Sequence, residues 1–473
     1  MDLRYKKLGK NTALVFIGKA GSSIISILML PFYTHWLKAD EYGTTDLINT
    51  YSMILMGLLS FCIADSIFVF PKEANKQGRT RYYTSGYFFV LGMTLLFSLI
   101  VLIINSLKPL FNWNGVLFEQ SWFILAFAIC QFLQSYSQSF LRSIDKMTVY
   151  SISGVVLTGG QALLSFYLLP RYGLNGYLYA IIIANLLAFF YTVIASESYK
   201  YLSITGFDKS SLVELLKYGL PLLPNGLMWW IVNSVNRPIM ESNLGLEAIG
   251  VYAVASKFPS MLSILVGVFG TAWSISMIEE FGKPDFNRFF NRTMKLLYFV
   301  TIVCCCVIVS LSKPIIWMFA DVSYFDAWKY IPVLTLSIVM QLHASNVGGV
   351  FMAEKKSKYF FYSSIWGALA TIIVTYPFII FWGIQGAAIA VAVSCFVMAV
   401  SRTWYAWKHI NEMPLKWYML LTSLCILFIV VVLCDWPLYI NIPIYVIIIG
   451  FVFLSSRDVL IPTWNTLKGV INR

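Results

Sequence analysis

Lys19, Ser22, Ser23 and Ser26 recur at i, i+3, i+4 and i+7, the spacing that puts side chains on one face of a helix. Gln131, Gln134, Ser135, Gln138 and Arg142 repeat the pattern, and Asn225, Trp229, Asn233 and Asn236 form a third such stripe. Lys257 shares a turn with Ser260, and His343 with Asn346. Every stripe is embedded in apolar sequence. Amides and hydroxyls in such surroundings either join helices by hydrogen bonds or line a polar path. Ionisable residues in hydrocarbon are costly and turn toward a protein or water-filled interior. Lys19 and Lys257 are therefore the strongest candidates for a binding role, with Arg142 as a third cation. No matching set of deep acids accompanies them, so the chemistry they offer is capture of an anion such as phosphate or pyrophosphate. A cationic ligand would fit poorly.

Those stripes need membrane helices to position them. The chain is 59% hydrophobic and 12% charged, with a mean hydropathy of +0.74. A helix needs about 20 apolar residues to cross the hydrocarbon core. Fourteen stretches qualify, at 12–36, 45–70, 84–107, 116–140, 148–170, 174–196, 217–240, 247–274, 294–319, 330–353, 359–382, 384–406, 415–434 and 437–455. The expected fold is an all-α integral membrane protein of 14 transmembrane helices, with no room for a soluble domain.

Charge sets the orientation. With the N-terminus in the cytoplasm, the outer links hold only Lys38, Lys108, Arg171, Arg237, Lys313 and Lys329. Lys19 and Lys257 lie within spans. The rest of the 34 lysines and arginines, Arg402 among them, fall on the cytoplasmic side, and the even span count returns the C-terminus there too. The net charge of +12 is thus mostly topology, dispersed over short loops that meet anionic headgroups; nucleic acid is not an expected partner. The first apolar run follows a basic segment and reads as a signal anchor. The eight cysteines lie in or at the ends of spans without CxxC or His-paired spacing, and read as small packing residues.

The second half echoes the first. Pro31, Leu37 and Gly43 recur as Pro238, Leu244 and Gly250, displaced by 207, and Gly173, Gly176 and Ala180 as Gly383, Gly386 and Ala390, displaced by 210. Both sets sit at outer hairpins in register with the span count. The pattern predicts two six-helix bundles related by a parallel internal repeat, at 1–200 and 201–410, with two further helices and a cytoplasmic tail over 411–473. Many transporters use such repeats, with the substrate site between them.

By depth, Lys19 lies about 10 Å from the cytoplasmic end of its span, and Lys257 lies about 15 Å deep in its own. Lys19 can reach the interface by extending its stem, whereas Lys257 is too deep for that. Asp65, near the cytoplasmic end of the second span, either pairs with a loop cation or takes part in ion coupling. His343, near mid-depth, is either a hydrogen-bonded packing residue or a group that titrates with a coupling proton.

The stretch Leu30-Pro31-Phe32-Tyr33-Thr34, then Leu37 and Glu41-Tyr42-Gly43-Thr44, resembles the opening signature of the polysaccharide transporter family. Those proteins are the O-antigen and capsule repeat-unit flippases of the multidrug/oligosaccharidyl-lipid/polysaccharide superfamily. Gly219-Leu220-Pro221, Pro224, Trp229, Arg237, Gly245 and Gly250-Val251-Tyr252 with Ala255 and Lys257 add to the likeness. The resemblance implies two bundles that open a central cavity alternately to either side. It implies as substrate an oligosaccharide repeat unit on undecaprenyl pyrophosphate, moved from the cytoplasmic to the outer leaflet of a bacterial inner membrane. Lys19, Lys257 and Arg142 would then meet the pyrophosphate. Ser22, Ser26, Gln131, Gln134, Gln138, Asn225, Trp229 and Asn233 would line the sugar cavity, and Arg237 would serve gating. His35-Trp36 and Asn236 depart from the family pattern, and Asn236 stands where an acid often precedes the arginine, which puts an outer salt bridge using that acid in doubt.

No cofactor is expected. A proton or sodium ion is the candidate coupling ion, and no Walker-type phosphate loop is present for ATP. Membrane lipids, a polysaccharide polymerase and a chain-length regulator are the expected partners. The competing readings are a lipid II flippase, a drug or cation antiporter of the same superfamily, a channel or scaffold, and a membrane glycosyltransferase or polymerase. The last is disfavoured because the outer links are only a few residues long.

Overall fold

The computed structural model describes residues 18, 20–354, 356–407, 410, 413–458 and 460–461. Lys19, the beginning of the first expected span and the C-terminal tail lie outside them. The described chain is helical throughout and divides into two compact units, Met1–Ala253 with Phe319–Asp321, and Val254–Met318 with Val322–Arg473.

The first unit opens with helical residues 20–28 (α1). It continues through α2 (Leu30–Trp36), α3 (Ala39–Ser60), α4 (Ile63–Val69), α5 (Lys76–Phe111), α6 (Val116–Glu119), α7 (Ser121–Ser143), α8 (Met147–Ser196), α9 (Lys209–Gly219), α10 (Leu223–Ser234) and α11 (Asn236–Leu244). Helix α12 (Leu246–Glu280) begins in it. Local chemistry sets the boundaries. The Asn75 side chain caps α5 by accepting the Gly78 N–H at 2.8 Å. Asp208 caps α9, accepting the N–H of Ser211 at 2.9 Å and its hydroxyl at 2.6 Å. These bonds, the hydroxyl's first, hold the Asp208 carboxyl below its ordinary range.

The second expected span is not one rod. Phe61 and Cys62 both adopt left-handed backbone (φ 44° and 56°), and the chain bends by 58° between α3 and α4. Gly219 makes room for the break, since a Cβ there would lie 2.4 Å from the Phe61 carbonyl oxygen. Ser66 adds a bond, donating to the Leu215 carbonyl at 2.7 Å. A buried cluster of Ile63, Ile67, Tyr83, Phe132, Tyr136, Phe140 and Leu215 closes around the bent segment. Periodicity cannot foresee such a bend, because both residues are apolar and neither is glycine or proline.

Helix α8 is a run of 50 residues, about 75 Å if straight, more than twice the hydrocarbon thickness. It is instead two arms that double back at Gly173 (φ 55°, ψ −137°). The turn is tight enough that a Cβ on Gly176 would sit 2.3 Å from the Leu168 carbonyl.

The second unit holds the rest of α12, then α13 (Phe286–Ser310), α14 (Ser312–Phe319), α15 (Ile331–Ala353), α16 (Ser357–Trp407), α17 (Leu415–Leu433) and α18 (Leu438–Ser455). Helix α16 repeats the behaviour of α8: Gly383 takes φ 58°, ψ −132°, and a Cβ on Gly386 would lie 1.8 Å from the Phe378 carbonyl. Six of the described helices are long and apolar enough to cross a membrane, and α3 with α4 makes a seventh across its bend.

Two further related glycines meet within the first unit. A Cβ on Gly43 would lie 2.0 Å from the Leu246 carbonyl, and one on Gly250 would lie 1.9 Å from the Ala39 carbonyl. Residues 39 and 246, like 43 and 250, differ by 207. The starts of α3 and α12 therefore cross backbone to backbone, the kind of approach that small residues permit between membrane helices. Gly250→Val is expected to destabilise the protein by at least about 3 kcal/mol, the upper end of ordinary overpacking, because a carbonyl cannot rotate away as a side chain can. Gly92, which has nothing within 4 Å of its Cβ position, is the control. Detergent-extracted Gly250→Val should melt well below Gly92→Ala; equal melting temperatures would contradict the close crossing.

Candidate functional site

The polar stripes of the first unit converge on one another. On α7, the Gln131 amide donates to Asn49 Oδ1 of α3 at 3.4 Å, and the Gln138 amide donates to Ser153 Oγ of α8 at 2.7 Å. On α1, Ser22 donates to the Gly154 carbonyl at 3.2 Å and receives Thr158 Oγ1 at 3.3 Å. Ser26 is exposed and bonds back to the Ser22 carbonyl at 2.9 Å. Gln134 is buried between these contacts. Gln131 to Arg142 spans about 16 Å along α7, so the stripe runs through half the membrane depth. Partly engaged amides and hydroxyls of this kind can trade their bonds for those of a polyhydroxylated ligand.

Arg142, at the end of this stripe, is half-buried. Its Nη2 donates to Ser139 Oγ at 3.0 Å, and its guanidinium lies over the rings of Phe68 (4.7 Å) and Tyr150 (5.6 Å). Its Nε is buried without a hydrogen-bond partner. Asp65 is exposed on α4.

The stripe on α10 continues into an ionic knot on α11. Asn225 Oδ1 is buried and unpartnered. Trp229 is half-buried, and its carbonyl accepts the Asn233 amide at 2.9 Å. Arg237 Nε donates to Asp46 Oδ2 of α3 at 3.2 Å, with both side chains mostly buried. Arg237 Nη1 donates to the Asn233 carbonyl and, at 3.0 Å, to Asn236 Oδ1. The Asn236 amide donates to the Tyr252 hydroxyl at 2.7 Å, and that ring lies 4.9 Å from the guanidinium. Nearby, Glu241 accepts the Tyr51 hydroxyl at 3.0 Å and the Val116 N–H at 2.6 Å.

Position 236 supplies no acid to Arg237, which pairs instead with Asp46, and Asn236 takes part as a hydrogen-bond bridge. Asp46 was legible in principle, since an acid inside an apolar span is itself a functional signal. Asn49, Ser153 and Thr158 carried no such signal, because their partners lie on other helices.

In the second unit Lys257 is exposed on α12, where its carbonyl accepts the Ser260 hydroxyl at 2.6 Å. His343 is buried. Thr403 Oγ1 gives its proton to the Ala399 carbonyl at 2.8 Å, so the hydrogen-bond pattern assigns the 3.1 Å contact with His343 as Nε2–H donating to Thr403. Nδ1 has no partner. Tyr298 and Tyr418 pack against the ring at centroid distances of 5.1 and 5.0 Å. No acid pairs with His343 among the described residues.

Arg402, counted from the sequence among cytoplasmic loop cations, is fully buried inside α16. It donates to Ser363 Oγ (2.8 Å), Ser364 Oγ (3.0 Å) and the Ala344 carbonyl (3.2 Å) and stacks 3.9 Å over Phe360. It joins α15 to both arms of α16. No cluster of three His, Cys, Asp or Glu side chains able to hold a metal occurs among the described residues.

A family model described as "Polysaccharide biosynthesis protein" matches residues 8–277, and one described as MatE matches 225–377. The "Lsg locus putative protein 1" of Haemophilus influenzae is 20% identical over 272 residues, which is 55% of this chain. The match spans 63% of the length of that relative. In fold the chain is similar to an inward-facing multidrug resistance MATE family transporter of the MOP superfamily, with a TM-score of 0.69 at 14% identity over 83% of this chain and 95% of that one. It is also similar to the lipid II flippase MurJ in an inward closed conformation, with a TM-score of 0.65 at 18% identity over 95% of this chain and 99% of that one. The first family model takes in more than half of the chain, so this chain, with the multi-pass membrane fold of those solved structures, belongs to the polysaccharide biosynthesis protein family.

Proposed function

We propose that this protein is a transporter that flips undecaprenyl-pyrophosphate-linked oligosaccharide repeat units from the cytoplasmic to the outer leaflet of a bacterial inner membrane, for O-antigen, capsule or exopolysaccharide synthesis. The observation that carries the reading is the family match over residues 8–277. The proposed architecture has 14 spans, with both termini cytoplasmic, in two six-helix bundles followed by a final pair. Its bundles open alternately to the two sides.

The physical task is to carry a polar oligosaccharide and two phosphates through hydrocarbon. The α7 amides, Ser22, Ser26, Asn225 and Asn233 would replace water around the sugars, and Trp229 would stack on a pyranose ring. Lys19, Lys257 and Arg142 would offset the phosphate charge. The polyprenyl chain never needs to leave the lipid. Arg237 and Asp46 would act as the gate, as one pair joining a helix of each proposed bundle.

Deleting the gene and determining the sidedness of undecaprenyl-linked sugars tests this directly. Accumulation of a complete lipid-linked repeat unit on the cytoplasmic face, with loss of surface polysaccharide, is expected. The MatE match over 225–377 favours a second reading, a cation-coupled drug antiporter. Normal polysaccharide with raised drug sensitivity in the deletion would establish that reading instead. Against it, Asp46 is already engaged by Arg237, so it offers a cation no free carboxylate.

Substitutions at two places probe the residues. Lys257→Ala should lower surface polysaccharide sharply at normal membrane insertion; wild-type output would remove Lys257 from the site. Asp46→Asn and Arg237→Gln should each reduce export, because each strands one charge in a desolvated place. The exchange Asp46→Arg with Arg237→Asp should restore part of it, and an exchange no better than the single variants would deny the pair a shared role.

A further inference from the structure

A cavity of about 530 Å³ lies wholly within the second unit, among α13, α15, the second arm of α16 and α17. That is within the range of ligand sites. Its walls are aromatic and apolar: Tyr298, Phe396, Trp404, Trp407 and Tyr418, with His343 set edge-on between two of the tyrosines. It runs about 16 Å along α16, from Trp407 back to Phe396. Phe396, Trp404 and Trp407 are each about half exposed, as is Ile426 across the opening. Large apolar side chains exposed on membrane helices are suited to hydrocarbon, so lipid is the neighbour this opening fits.

Its rim is of a different kind. Tryptophans at the end of a membrane helix belong to the headgroup level. Trp404 and Trp407 end α16, and exposed Lys416 follows Leu415 of the cavity wall at the start of α17. The Trp417 indole donates to the Ser455 carbonyl at 2.8 Å, which brings the end of α18 and its exposed Arg457 to the same level. Lys295 stands 5.5 Å over the Trp417 ring and pairs with Asp458. Among these groups three cations face one acid.

We propose that this cavity binds one acyl chain of an anionic phospholipid of the cytoplasmic leaflet, with the phosphate at the Lys416 and Arg457 rim. An apolar slot open to the bilayer takes hydrocarbon, and a cationic, tryptophan-edged mouth selects a phosphate-bearing head. The orientation is the one given by the basic loops, and the site does not depend on which substrate is flipped. The polyprenyl carrier has the same chemistry, a phosphate on hydrocarbon. Phospholipid is the occupant, because its chain is a permanent part of that leaflet.

The full-length protein in phosphatidylcholine nanodiscs containing phosphatidylglycerol, read by native mass spectrometry, tests the site. One phosphatidylglycerol should survive delipidation. Ser423→Trp and Val400→Trp place an indole in the slot from exposed positions on its lining. Each should lower retention about tenfold, equivalent to about 1.4 kcal/mol. Lys416→Glu should keep a bound lipid but erase the preference for phosphatidylglycerol over phosphatidylcholine. No retained lipid, or retention in both tryptophan variants equal to that of the wild type, would overturn the proposal. Displacement by equimolar undecaprenyl phosphate would also overturn it, assigning the slot to the isoprenoid carrier.

Discussion

Hydrocarbon offers no partner to a bare peptide group, and the rest of this structure follows from that constraint. Every long segment is a helix because a helix satisfies its own backbone. Where a helix must stop or turn, a specific device takes over. At Gly173 and Gly383 the absent side chain lets the chain reverse so tightly that the two arms cover each other. At Phe61 and Cys62 no such residue exists, and the strain of two left-handed non-glycine residues is held by Gly219, by the Ser66 bond and by the aromatic cluster closing on the bent segment. The linker helix α9 thereby becomes part of the membrane domain it follows, because Leu215 and Gly219 complete that packing.

The same constraint governs charge. Arg237 and Arg402 both lie in low-dielectric surroundings, and the fold answers each differently. Arg237 is neutralised by Asp46 and then tied by two neighbouring amides and a tyrosine ring. Arg402 is spread over two hydroxyls, a carbonyl and a phenylalanine face. An arginine suits this use because its fork can donate to three elements at once. The lysines remain where a flexible point charge is useful, on the exposed side of α12 and at helix ends.

How much of this was legible depended on whether the signal was local. Helices and the hairpin glycines are local matters of composition and spacing, and Gly173 and Gly383 could be paired from the sequence by their shared displacement. The α7 stripe was likewise legible as a face. What lay beyond reach was pairing across helices. Nothing near Arg237 names Asp46, and nothing near Gln138 names Ser153. Arg402 was misplaced for a related reason: four residues short of a basic link, it looks like the beginning of a loop, and only its contacts with Ser363 and Ser364 on the facing arm identify it as interior. The bend at Phe61 and Cys62 was hidden because its cause lies on α9, more than 150 residues away.

The Asp46–Arg237 pair also bears on what kind of transporter can be built on this fold. A cation antiporter needs an acid that alternates between its cation and a proton. An acid already facing a guanidinium at 3.2 Å is poor at both, since each exchange would first leave the arginine unpaired. A lipid-linked anion makes the opposite demand, for cations that can be shared between an internal acid and an external phosphate. The polarity of the charged groups, more than the helix arrangement shared with multidrug transporters, is therefore where the two transport chemistries part.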